Sequence, residues 1–304
     1  MYTDFFELKE RPFRLTPDPA FLFLSETHVE ALNHLIYGIN NKEGFILITG
    51  EIGAGKTTLC RMLLQKLGDD VKTALIFNPV LSEEELLRTM LQDFGVESSA
   101  STKKELIDEL NAFLLNELEE RRKAVLIIDE AQNLTVPLLE QVRLLSNLET
   151  DKEKLVQIIL FGQNELKQKL DLPALRQLKQ RITVRYELKY LTREETEKYI
   201  AYRLTVAGSD GRIVFSRGAL QRIYRQTRGV PRLINVLADR CLLTAYTRFK
   251  TSITGDLVNT AIRSLEGERG GLSPKVKWIA VALVSVLVVL SSIFLIFRLT
   301  GGIR

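Results

Sequence analysis

Cysteine is nearly absent from this sequence of 304 residues. The two that occur, Cys60 and Cys241, lie far apart, each inside an apolar helical pattern. No disulfide framework or zinc site is expected from them, and both read as buried packing residues. Histidine is equally scarce: His28 and His34 stand on one expected helix with no carboxylate or thiol constellation nearby, which excludes a histidine-ligated metal centre. A dominant charge is lacking too. Against 42 Lys and Arg stand 38 Asp and Glu, and the net +4 is too small to imply nucleic-acid binding by the chain as a whole. No long stretch is polar enough for disorder, since 45% hydrophobic and 26% charged residues lie in the ordinary globular range. The N-terminus, Met1-Tyr2-Thr3-Asp4, has no basic region followed by an apolar run, so no signal peptide is expected and the main body is expected to stay cytosolic.

What is present is organised. The length fits two or three compact units. Short runs rich in β-branched and aliphatic residues at 45–49, 73–77, 124–129 and 155–161 predict strands buried on both faces of a parallel sheet. Capping boxes at Ser82/Glu85 and Thr102/Glu105 mark two helix starts between the second and third strands, and Thr192/Glu195 marks another beyond the sheet. From there to Ser264 the periodicity is helical. This region holds 13 Lys or Arg against 6 Asp or Glu, so the basic character is regional. The expected division is an α/β core at 1–190, a helical lid at 191–266, a Gly-, Ser- and Pro-containing linker at 267–276, a transmembrane helix at 277–298 and a short tail at 299–304. The membrane reading rests on 279–297, an uncharged run broken only by Ser285, Ser291 and Ser292 and flanked by Lys275, Lys277, Trp278 and Arg298.

One motif carries most of the chemistry. Gly50-Glu51-Ile52-Gly53-Ala54-Gly55-Lys56-Thr57 matches GxxxxGK[ST] between a predicted strand and a helix opening at Lys56. Such a loop turns backbone N–H groups toward phosphate oxygens, and the helix N-terminus adds a favourable dipole. Lys56 is placed to reach the β- and γ-phosphates, and the Thr57 hydroxyl to ligate Mg²⁺. His28 and His34 read as structural or nucleotide-adjacent. The strand at 124–129 ends in Asp129-Glu130 at the sheet edge where open α/β folds bind ligands. Asp129 is the candidate to hold Mg²⁺ through its water shell, and Glu130 to orient and deprotonate the attacking water. Gln163 or Asn164, after another strand, is the candidate γ-phosphate sensor, with a helix N-cap as the alternative role for Asn164. Asn78 is a candidate to hold Glu130 inactive. Arg176 and Arg181 are candidates to neutralise transition-state charge from a neighbouring subunit, and Arg232, in Gly229-Val230-Pro231-Arg232, to turn back toward the nucleotide. No Asn/Thr-Lys-x-Asp guanine-reading motif follows the sheet, which favours ATP.

With these in place the chain resembles the general secretion pathway protein A family of AAA+ ATPases. The resemblance runs through Tyr2 to Phe6, Arg11-Pro12-Phe13, Thr16-Pro17-Asp18-Pro19, Glu43-Gly44-Phe45, Asp129-Glu130-Ala131-Gln132 and Leu175-Arg176-Gln177-Leu178. It implies that Gly50 to Thr58 bind ATP, that Asp129 and Glu130 are the Walker B pair, that Arg232 is a second sensor, and that a ring-forming ATPase precedes one transmembrane helix. Members typically carry a periplasmic peptidoglycan-binding domain beyond that helix, and none is found in this sequence.

The expected function is a bacterial inner-membrane ATPase, homo-oligomeric, working with a membrane partner protein to assemble or power a secretion, pilus or surface-polymer export apparatus. An ATP-dependent DNA-binding helper of the transposition or replication-loader type is the alternative; the basic helical region supports it and the membrane helix opposes it. Glu130 disfavours a third reading, a nucleotide switch with negligible turnover.

Overall fold

A computed structural model describes residues 1–16, 18–77, 79–151 and 153–269. In chain order the elements are α1 (Tyr2–Phe5), α2 (Glu26–Asn40), β1 (Phe45–Gly50), α3 (Lys56–Lys66), β2 (Val71–Ile76), α4 (Glu83–Asp93), α5 (Lys103–Glu119), β3 (Lys123–Ile128), α6 (Val136–Leu145), β4 (Gln157–Gly162), α7 (Asn164–Leu170), α8 (Arg176–Arg181), β5 (Ile182–Leu188), α9 (Arg193–Val206), β6 (Val214–Phe215), α10 (Arg217–Thr227), α11 (Pro231–Tyr246), β7 (Ser252–Ile253) and α12 (Gly255–Arg269).

Five strands form a parallel sheet in the order β2-β3-β4-β1-β5. Continuous apolar runs suit β1, β3 and β4 because both faces are covered. The pleat sends Phe45, Leu47, Leu126, Ile128, Ile158 and Leu160 to one core, which α4, α5 and α6 complete. Ile46, Ile48, Val125, Ile127, Ile159 and Phe161 point to the other, against α2 and α3. All three predicted capping boxes form, at Ser82, Thr102 and Thr192. Glu195 of the third box is doubly used: Oε2 accepts from the Thr192 N–H at 2.8 Å and Oε1 from the Glu26 N–H at 3.0 Å, joining the starts of α9 and α2.

The fifth strand is absent from the sequence reading. In β5 only alternate residues are buried, Ile182, Val184 and Leu188, while Thr183, Arg185 and Glu187 face outward. An edge strand with one wet face has no continuous apolar run to find. The two-residue ladder of β6 with β7, inside the helical part, is too short to signal itself.

A third core packs α9 to α12 together, and the N-terminus belongs to it. Tyr2, Phe6, Leu8, Phe13 and Phe21 are buried there, departing from the reading of 1–190 as one α/β unit. With both sheet faces already covered, the aromatic opening of the chain is buried by the helical part instead. Phe5 lies edge-on to Tyr246 at 5.6 Å, and Tyr2 and Arg11 both hydrogen-bond Asp239 of α11. Helix α12 runs to Arg269, into the stretch expected as linker. The rest of that linker, the expected membrane helix at 277–298 and the tail at 299–304 lie outside the described residues. Among the described residues no helix is long and apolar enough to cross a membrane.

Candidate active site

Strand β1 ends at Gly50 and helix α3 begins at Lys56, so the glycine-rich loop fills the turn between them. Gly55 takes φ +99°, and a Cβ there would lie 2.4 Å from His28 Nε2. Only glycine fits both the backbone and the space. His28 thus supports the loop from below, with Nδ1 2.6 Å from Ser25 Oγ; burial holds its imidazole below the ordinary histidine value, against the opposing charge of Glu195. The loop closes around Lys56, 5% exposed, whose Nζ donates to Gly50 O at 2.8 Å and Glu51 O at 3.2 Å. Burial lowers the Lys56 pKa, while Glu130 and Asp129 favour its charged form.

The end of β3 meets this loop. Thr57 Oγ1 donates to Asp129 Oδ2 at 2.8 Å, and Asp129 Oδ1 accepts the Glu130 N–H at 2.9 Å. Asp129 is 2% exposed, and burial raises its carboxyl pKa in spite of these donors. Glu130 adopts a left-handed conformation, φ 52°, which turns the chain sharply out of the strand. Its Oε2 accepts from Gln132 Nε2 at 2.5 Å and Gln163 Nε2 at 3.0 Å. Burial works upward on this carboxyl, but the two amides and the Lys56 charge bring it below the usual value.

Above these groups lies a cavity of about 320 Å³, within the size range of small-molecule sites. The P-loop forms its floor from Ile52, Gly53 and Gly55 to Thr58, and Glu130 and Gln163 stand at one end. Helix α11 contributes Pro231, Arg232 and Asn235. Gly229 takes φ +78°, and a Cβ there would lie 1.9 Å from Leu191 O, so this turn into α11 admits no side chain. Beyond the turn Arg232 is exposed and borders the cavity, its Cβ 3.4 Å from where a side chain on Gly53 would begin.

The remaining wall went unassigned in the sequence. Arg14, Leu15, Thr16, Asp18 and 21–23 line it, together with Leu191, Tyr199 and Arg203. Arg203 is buried and anchors this segment: Nε donates to Pro12 O at 2.6 Å, Nη2 to Arg14 O at 3.3 Å and Nη1 to Tyr199 Oη at 2.9 Å, with the guanidinium 4.9 Å from the Phe21 ring centre. Tyr199 in turn donates to Asn235 Oδ1 at 2.8 Å. The partners are backbone carbonyls nearly two hundred residues away, a contact with no local sequence signal.

Chemically, the cavity is lined by the glycine-rich loop, the Lys56 ammonium, the Thr57 hydroxyl and the Glu130 carboxylate, with the buried Asp129 carboxylate bonded to Thr57 behind it. Thr57 and Asp129 are hard oxygen donors, the set Mg²⁺ takes when water and phosphate complete its shell. Among the described residues no cluster of three or more His, Cys, Asp or Glu offers an all-protein metal cage.

The AAA domain family matches residues 39–170, which span β1 to α7. General secretion pathway protein A of Aeromonas hydrophila is 44% identical over 271 residues, 88% of this chain. This chain is a homologue of general secretion pathway protein A. It spans about half, 49%, of that relative's length. Among solved structures, the ORC2 protein of Aeropyrum pernix is 18% identical with TM-score 0.60, covering 84% of this chain and 71% of that one. The Thermotoga maritima RuvB Holliday junction branch migration motor is 18% identical with TM-score 0.52, covering 84% and 73%. At such identity they show the fold alone, an α/β P-loop AAA fold with a parallel sheet and a C-terminal helical part.

In this general secretion pathway protein A homologue the two candidate arginines of α8 are placed apart from the cavity. Arg176 is exposed and, among the described residues, its side chain makes no hydrogen bond or ion pair. Arg181 is half-buried, and its Nη1 donates to Ser146 Oγ at 2.6 Å. Asn164 does not cap α7: Gln163 holds the N-cap position without a side-chain capping bond, and Asn164 Nδ2 donates to the Glu51 carboxylate instead. Asn78 lies outside the described residues.

Proposed function

We propose that the chain is a membrane-anchored AAA+ ATPase coupling ATP binding and hydrolysis to assembly or operation of an envelope secretion, pilus or surface-polymer export apparatus. The observation that carries the hydrolytic part is the convergence at one sheet edge of Lys56, Thr57, Glu130 and Gln163 on one cavity, with the buried Asp129 bonded to Thr57 behind it. Homology to general secretion pathway protein A supports the cellular setting.

Roles follow from placement. N–H groups of the loop, with Gly50, Glu51, Ile52, Gly53, Ala54, Gly55, Lys56, Thr57 and Thr58, cradle the phosphates of ATP. Lys56 exchanges its two carbonyl partners for β- and γ-phosphate oxygens. Thr57 and Asp129 hold Mg²⁺, which when bound neutralises charge on those phosphates. Glu130 orients and deprotonates the attacking water, and Gln163 reads the γ-phosphate while bonded to Glu130. Arg232 meets the nucleotide from the lid. In a ring of identical subunits, Arg176 is better placed than Arg181 to act across an interface, being exposed and unengaged.

In this reading the sheet unit within 1–190 is the core, 191–266 with the chain's opening packed against it is the lid, 277–298 spans the bacterial inner membrane, the ATPase is cytoplasmic, and an inner-membrane protein is the partner. The +7 excess at 192–264 favours the alternative, a DNA-binding helper. Salt-sensitive DNA binding that raises turnover would move the assignment there.

Subunit mixing tests the ring. Arg176→Ala and Glu130→Gln chains, each inactive alone in vesicles, are expected to recover turnover when reconstituted together, since a Glu130→Gln neighbour supplies Arg176 to a site with its own Glu130. No recovery, with both variants binding ATP, counts against action across subunits.

A further inference from the structure

Gln132 does not line the cavity, yet it ties together the two residues that face it. Glu130 leaves β3 in a left-handed conformation and a single 3₁₀ turn, Ala131–Asn133, brings the chain back, so the Gln132 side chain returns over the Glu130 carboxylate. Its Nε2 donates to Glu130 Oε2 at 2.5 Å, and its Oε1 accepts the main-chain N–H of Gln163 at 3.1 Å. Gln163 Nε2 closes the ring on the same Oε2 at 3.0 Å. The Gln132 position is itself fixed from α7, where Lys169 Nζ donates to Gln132 O at 2.6 Å and to Leu134 O at 2.7 Å.

Both amides bind one carboxylate oxygen. Among the described residues no protein donor meets Glu130 Oε1, which leaves that oxygen for a water. One amide side chain therefore holds the carboxylate by one edge and joins it to the end of β4, the strand that carries the candidate γ-phosphate sensor. A carboxylate on a turn like this has rotamer freedom to lose, and hydrogen bonds from fixed amides remove it before the reaction.

We propose that Gln132 is a positioning residue for hydrolysis: it orients Glu130 through Oε2 and links it mechanically to Gln163, so that the water-activating group and the sensor move as one unit. The proposal rests on the ATPase reading above. Gln132 acts through Glu130, without touching nucleotide.

The test is a double-mutant cycle in the full chain, reading kcat and the dissociation constant for ATP. Gln132→Met keeps the side-chain volume and loses both amide bonds. Expected are a fall in kcat of about 10-fold, ATP affinity within about twofold, and no further fall when Gln132→Met is added to Glu130→Gln, because the residue it serves is already disabled. Gln132→Asn, which keeps an amide one carbon shorter, is expected to fold normally, bind ATP and lie between the two in kcat. The proposal is overturned if Gln132→Met leaves kcat unchanged, if ATP binding and kcat fall together, or if the two substitutions multiply. Turnover that ignores Glu130→Gln would remove the hydrolysis reading as well. Dependence on Glu130 with multiplying effects would remove only the role of Gln132.

Discussion

Glu130→Gln is expected to turn over ATP at least about 100-fold more slowly than the unaltered chain while binding it within about threefold as tightly. The substitution is nearly isosteric. Its amide oxygen can still accept from Gln132 and Gln163, which now meet on Oε2 at 2.5 and 3.0 Å, so the turn after β3 keeps its shape. What is lost is the basic carboxylate that would take a proton from water. Phosphate-contacting groups are untouched: Lys56 and Thr57 sit on the loop, and Thr57 keeps its 2.8 Å bond to Asp129. Phosphate release and calorimetric titration with Mg-ATP read the two quantities separately. Equal turnover in the two proteins would mean that another group activates water.

Gly229→Ala should damage both the fold and the site. The residue has φ +78°, and an added Cβ would lie 1.9 Å from Leu191 O, a backbone atom with no rotamer by which to escape. Leu191 is also held in place, since its N–H donates to Gly229 O at 3.1 Å. Strain and displacement together are expected to cost on the order of 3 kcal/mol, a fall in Tm of roughly 5–10 °C. Because this turn aims Arg232 at the cavity, ATP affinity should weaken by about 10-fold, the scale of one lost charge-assisted contact. Thermal melting with and without ATP checks both effects. Gly218→Ala is the control: it lies in α10 with no atom within 4 Å of an added Cβ, and it should be neutral or slightly stabilising. A Gly229→Ala chain that melts with the control would contradict the geometry of the turn.

The parts of the molecule legible in the sequence are those whose signal is local. The P-loop declares itself through glycine spacing between a strand and a helix, and the strand ends at 45–50, 71–76, 123–128 and 157–162 agree with the runs read from the sequence to within two residues. Capping boxes are equally local, because N-cap and N3 are three residues apart. Asp129 and Glu130 follow an apolar strand directly, and the fold brings them to Thr57 and Gln163.

What stayed hidden depends on distance along the chain or on half-burial. Strand β5 is an edge strand whose exposed Thr183, Arg185 and Glu187 break the apolar run. The cavity wall of Arg14, Leu15, Thr16, Asp18 and 21–23 depends on Arg203, one of two arginines in α9, and only the fold shows that its guanidinium turns inward to Pro12 O and Arg14 O. Gln132 was visible as a letter beside the acidic pair, but its bond to the Gln163 N–H exists only once β3 and β4 are adjacent. Arg176 and Arg181 look alike in sequence, and packing separates them by giving Arg181 a bond to Ser146.

The measurement that tests the central claim most directly is single-turnover phosphate release by the full chain in vesicles, with γ-labelled ATP at less than one equivalent and Mg²⁺ present, beside Lys56→Ala. The account predicts that the unaltered chain releases the γ-phosphate of essentially all bound ATP, and that Lys56→Ala, having lost the contact to the β- and γ-phosphates, binds and cleaves far less. Release that is equal in the two proteins, or ATP that stays bound and intact in the unaltered chain, would contradict it.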